Sequence, residues 1–90
     1  MRVLTTPRFD RSVKKLHAEE KKALDEAIRF VIADADAGEL KKGDLAGVRV
    51  YKYRFNREQL LLAYAANKVE QVIILMGYGK HENFYRDLKH

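Results

Sequence analysis

A chain of 90 residues supports one modest hydrophobic core and excludes two, so positions 1–90 read as a single domain. Lys and Arg number 18 against 13 Asp and Glu, a net charge of +5, which favours an anionic partner such as nucleic acid or an acidic protein segment. No cysteine is present, which excludes a disulfide framework and a thiolate metal site and fits a reducing cytosol. The histidines His17, His81 and His90 are scattered, no stretch reaches the roughly 18 apolar residues of a membrane span, and Met1-Arg2-Val3-Leu4-Thr5-Thr6-Pro7 has no secretory h-region. The expectation is a soluble cytoplasmic protein without metal, cofactor or membrane partner.

Along the chain, Arg2 to Thr5 reads as a short strand. Thr6-Pro7 starts a helix, with a hydroxyl cap followed by proline at the first helical position. That helix runs to about Leu16, with Phe9, Val13 and Leu16 on its apolar side and Arg8, Arg11, Lys14 and Lys15 on its outer surface. After a break near His17, a longer helix carries Leu24, Ala27, Ile28, Val31 and Ala35 as one stripe, which makes a helical hairpin with a buried face. Gly38, Gly43 and Gly47 mark a connecting loop.

The segment Val48 to Phe55 alternates. Arg49, Tyr51, Tyr53 and Phe55 point one way, Val48, Val50, Lys52 and Arg54 the other. An aromatic face suits packing on the helices, which leaves Lys52 and Arg54 on an open face. Asn56 to Gln59 reads as a turn, Leu60 to Ala66 as a third strand, Asn67-Lys68 as a tight turn, and Val69 to Gly77 as a fourth strand apolar enough for a central position. The fold class expected is α+β: an N-terminal strand and helical hairpin packed on a mostly antiparallel four-stranded sheet, with a short C-terminal helix. A central last strand would deliver Gly77 to His81 beside the strand that carries Lys52 and Arg54.

The closing segment, Lys80-His81-Glu82-Asn83-Phe84-Tyr85-Arg86-Asp87-Leu88-Lys89, places His81 and Tyr85 four apart. On a helix both would lie on one face, an imidazole and a phenol presented together. Taken alone, His81 reads first as a surface or capping residue, Tyr85 as a neighbour of the core anchors Phe84 and Leu88, and Lys52 and Arg54 as charges that keep a sheet face soluble.

Leu45-Ala46-Gly47, Tyr51-Lys52-Tyr53-Arg54-Phe55, an apolar strand ending near Tyr64, and Val72-Ile73-Ile74-Leu75 leading into Gly79-Lys80-His81-Glu82-Asn83-Phe84-Tyr85 together resemble the RelE/ParE superfamily of toxins from type II toxin–antitoxin systems. The resemblance covers essentially the whole chain. It implies a toxin neutralised by a cognate antitoxin protein. In the RelE, YoeB and HigB branches it further implies a metal-independent endoribonuclease, or mRNA interferase, that cuts mRNA in the ribosomal A site and inhibits translation. The ParE branch instead inhibits DNA gyrase.

On the RNase reading, His81 and Tyr85 carry proton transfer and Lys52 and Arg54 clamp the scissile phosphate. Arg49, Arg57, Lys80, Lys14 and Lys15 contact RNA backbone, with rRNA orienting the substrate. One departure favours the gyrase alternative: where the RNase branches carry an aromatic-arginine pair in the third strand, this chain has Leu60-Leu61-Leu62, so Arg57 or Arg54 would have to supply that charge. A plain nucleic-acid-binding module is the third alternative.

Overall fold

The structure, a computed structural model, describes residues 1–80. Strand β1 (Arg2–Thr5) leads into helix α1 (Pro7–Lys14) and helix α2 (Ala18–Ala33). Four strands follow: β2 (Glu39–Leu40), β3 (Arg49–Phe55), β4 (Glu58–Asn67) and β5 (Val72–Lys80). They make one sheet in the order β1-β5-β4-β3-β2, parallel only between β1 and β5. The expected short C-terminal helix, with His81 and Tyr85, lies outside the described residues.

The α+β class stands, with five strands rather than four. The added strand is β2, a two-residue pairing with Val50 and Arg49 inside the glycine-marked connection. It is too short to leave a periodic pattern in sequence. A second correction concerns sheet order. β5 pairs with β1 and β4, so β4 stands between it and the strand that carries Lys52 and Arg54. β5 also starts at Val72 rather than Val69, and it continues through the two glycines to Lys80. Glycine weakens a strand, yet pairing with β4 continues to Leu60↔Lys80.

Thr6 starts α1 as the sequence predicts. Its Oγ1 accepts a hydrogen bond from the Phe9 N–H at 3.2 Å, and Pro7 fills the first helical turn. The two helices cover one face of the sheet, where Phe9, Leu24, Ala27 and Val31 meet Leu62, Tyr64, Ile73 and Leu75. The opposite face is not an open charged surface throughout: Val48, Val50, Leu61 and Ala63 form a second apolar cluster there, with Leu45 and Met76 packed against it.

A β-bulge shapes β5. Ala63 pairs with Gly77 and Tyr64 with Leu75, so Met76 is the extra residue. The insertion inverts the alternation of the strand. Ile73 and Leu75 face the helices before it, and Tyr78 does so after it, while Gly77 and Gly79 are turned to the other face. The Met76 carbonyl, set out of the ladder, accepts the Thr6 hydroxyl at 3.2 Å.

Tyr64 fixes the link between the helical layer and the sheet. Its hydroxyl donates to the Ala35 carbonyl at 2.8 Å and accepts from the Gly38 N–H at 2.9 Å. Gly38 is required there, since a Cβ would come within 2.8 Å of the Tyr64 ring.

Candidate functional site

Strand register decides which charges share a surface. In an antiparallel sheet directly paired residues project to the same side. Lys52 pairs with Leu61 and Leu61 with Gly79, so these three form one row across the face turned away from the helices. Arg54 and Gln59 form the next row. Lys52 and Arg54 are exposed, and two strand spacings, roughly 10 Å, separate Lys52 from the backbone of Gly79. The basic pair thus stands at the same end of the sheet, and on the same face, as the glycine-bordered end of β5.

Glu39 brings a carboxylate to this face, paired with Val50 in the next row. Its carboxyl is held below the ordinary range chiefly by a hydrogen bond from Lys41, at 3.1 Å, and to a smaller degree by the positive charge of Lys52.

The middle strand supplies no cation. Leu60 lies on the helix-covered face, Leu61 on the opposite one, and both are buried, Leu61 with 0 % of its surface exposed. A desolvated site of this kind rejects an unpaired guanidinium. Arg57 stands instead in the two-residue β3–β4 turn, exposed, and both turn residues take left-handed backbone angles, Asn56 at φ 50° and Arg57 at φ 68°. That is the geometry of a tight hairpin whose twist matches its strands.

The other basic residues named from the sequence do not converge on this face. Arg49 is turned to the opposite side, where it donates to the Gly38 carbonyl at 2.8 Å and pairs with Asp36 at 3.1 Å. Lys80 pairs in register with Leu60, also on the helix side, and its ammonium lies 2.9 Å from Glu58. Lys14 and Lys15 are exposed at the end of α1. The structure therefore brings Lys52 and Arg54 together, with Arg57 at the adjoining turn, and sets Arg49 and Lys80 on the other side of the sheet.

One cluster escaped the sequence reading. Tyr78 donates a hydrogen bond to Glu20 Oε2 at 3.4 Å. Tyr53 has its hydroxyl shut off from solvent without a hydrogen-bond partner among the described residues. Burial, and then the charge of Glu20, pushes the Tyr78 phenol up to about 12. Burial raises Tyr53 further, with Tyr78 and Glu20 adding to it. The signal was Gly77-Tyr78-Gly79, an aromatic with a polar tip between two residues unable to pack. Among the described residues no group of three or more His, Asp or Glu is placed to hold a metal ion, and no helix is long and apolar enough to cross a membrane.

This fold, a helical hairpin on a five-stranded sheet, is similar to those of solved toxin structures. The YoeB/ParE toxin from Agrobacterium tumefaciens superposes with a TM-score of 0.74 at 20% identity, over 90% of this chain and 99% of that one. The intact E. coli RelBE toxin–antitoxin complex matches with a TM-score of 0.70 at 17% identity, over 90% and 96% of the two chains. The archaeal RelE–RelB complex from Pyrococcus horikoshii OT3 matches at 0.59 and 14%, over 90% and 94%. No curated protein matches at the level of sequence. Residues 3–89 match the family model described as the ParE-like toxin of type II bacterial toxin–antitoxin systems. The chain belongs to this family of toxins, within the RelE/ParE superfamily.

Proposed function

We propose that this toxin is a metal-independent, ribosome-dependent mRNA endoribonuclease that works in the cytoplasm and inhibits translation. The observation that supports the reading is the exposed Lys52–Arg54 pair, on the same face and at the same end of the sheet as the end of β5. Cleavage of RNA without a metal needs cations around a phosphate whose charge grows in the transition state, a base and an acid. Arg54 grips two phosphate oxygens bidentately and Lys52 adds a point charge.

His81, the residue that follows Lys80 in the chain, has a side chain suited to take the proton of the 2′-hydroxyl near neutral pH. The 2′-oxygen forms a bond to phosphorus, the bond from phosphorus to the 5′-oxygen breaks, and Tyr85 donates the proton that the departing oxygen needs. The products are a 2′,3′-cyclic phosphate and a free 5′-hydroxyl. Arg57, at the turn beside Arg54, together with Lys14 and Lys15, contacts RNA backbone. Arg49 and Lys80 contribute field rather than direct contact, since both are engaged by carboxylates on the far side of the sheet.

Inhibition of DNA gyrase is the second reading. It is favoured by Leu61, an apolar and fully buried residue at the middle of the face that would receive a phosphate, and by the ParE-like family match. Mapping of mRNA 5′ ends after brief induction separates the two. With wild type, Lys52→Ala/Arg54→Ala and His81→Ala at matched levels, the RNase reading expects new ends phased within codons, present in wild type and lost in both variants. Growth arrest with DNA-damage signalling and no new ends would establish gyrase as the target.

A further inference from the structure

In Gly77-Tyr78-Gly79 the two glycines offer the end of β5 no side chain to pack, so Tyr78 carries what side-chain packing these three residues have. The bulge at Met76 turns that one side chain to the helix-bearing face. There it meets Glu20, in the first turn of α2, at 3.4 Å. Tyr53 joins from the other side of β4: Tyr53 pairs with Leu60, and Tyr78 with Leu62, in adjacent rows. Its phenol lies near both Tyr78 and Glu20, and its hydroxyl is enclosed with no hydrogen-bond partner among the described residues. An ionised carboxylate accepts several hydrogen bonds and a phenol donates one, so Glu20 has capacity for a second donor.

The cluster lies directly behind the proposed site. Tyr53 is the residue between Lys52 and Arg54, and Tyr78 the residue before Gly79, whose row contains Lys52. We propose that Glu20, Tyr53 and Tyr78 are positioning residues that lock the end of β5 and the Lys52–Arg54 segment of β3 to the first turn of α2, with one water bridging the Tyr53 hydroxyl to the Glu20 carboxylate. The catalytic part of this inference rests on the RNase reading. The structural part does not.

Backbone hydrogen exchange on the full chain tests the lock without reference to activity. In Tyr78→Phe and Glu20→Ala, the amides of residues 77–80 exchange about tenfold faster, whereas those of α1 and of Ile73–Leu75 keep their wild-type rates; Glu20→Gln, which retains an oxygen acceptor, falls between. Uniform acceleration over the whole sheet, or none at residues 77–80, would overturn the assignment. Tyr53→Phe tests the water separately. Loss of a bridged donor lowers the melting temperature, and a melting temperature unchanged or raised, as expected when an orphan hydroxyl is simply removed, refutes the bridge. In cells, Tyr78→Phe reduces the new mRNA ends about tenfold without moving them, the cost of a misplaced but chemically intact site. Undiminished ends would refute the positioning role. Absence of ends from the wild type would refute the RNase reading alone, and exchange would still decide the lock.

Discussion

Tyr64 is the residue on which the two layers hinge, and its neighbourhood was only half legible in the sequence. Its apolar part follows from its place in the apolar run Leu60 to Ala66. Its hydroxyl does the less visible work, joining the Ala35 carbonyl and the Gly38 N–H, 29 and 26 residues away. Tyr64→Phe leaves both backbone groups without this partner. It is expected to cost about 1–3 kcal/mol, read as a lower denaturant midpoint with an unchanged slope. A similar lesson attaches to Arg49. The alternation of β3 placed it correctly on the aromatic side, but charge alone suggested an RNA contact, and only the fold supplies Asp36 as its partner.

At the level of elements, both helices were readable from their apolar stripes, β3 from its alternation, and β4 and β5 from apolar runs bounded by turn residues. The start of α1 was legible to the residue, since a threonine cap followed by proline has few other meanings. Thr6→Ala removes the cap at Phe9 and also the bond to the Met76 carbonyl. Helix caps of this type are worth about 1 kcal/mol, range 0.5–2, and thermal unfolding should show a loss at the upper part of that range. The bulge in β5 was not legible. A strict period of two through Leu75, Gly77 and Gly79 puts all three on one face, and nothing local announces that one extra residue will turn the glycines away from the helices. The position of Tyr78, and with it the Glu20 cluster, was hidden by that single insertion.

At the scale of the molecule, sheet order set the limit on what sequence could say. The resemblance to the RelE/ParE toxins and the order of the elements led to the right class of fold, but the neighbour of β5 depended on pairings that hydrophobic patterns do not encode. Lys52 and Gly79 nevertheless share a row across β4. Three distant segments are also tied by charge: Asp36, after α2, pairs with Arg49 of β3 and with Lys68 in the β4–β5 turn. The hydrogen bond from Lys68 chiefly holds the Asp36 carboxyl below its ordinary 3.8; desolvation opposes it, and the charges of Lys68 and Arg49 assist. A carboxyl lowered in the folded state adds stability that is complete above its unfolded value and is lost as pH falls through the lower folded one. Melting temperatures measured below about pH 4 should therefore fall more steeply in wild type than in Asp36→Asn, with added salt narrowing the difference.

The parallel pairing of β1 with β5 sets a clock on the making of this toxin. Arg2 to Thr5 bond to Val72 to Leu75, and the Thr6 hydroxyl meets a carbonyl 70 positions further along the chain. Contacts of such long separation form late. As the chain is synthesised from its N-terminus, the first strand emerges early and waits without its neighbour until the last strand has left the exit tunnel. A polypeptide interrupted before Val72 can make the helices and the β3–β4 hairpin, but it cannot close the sheet that carries the basic pair. The surface on which Lys52 and Arg54 stand is thus completed only by the joining of the two most distant strands of the domain.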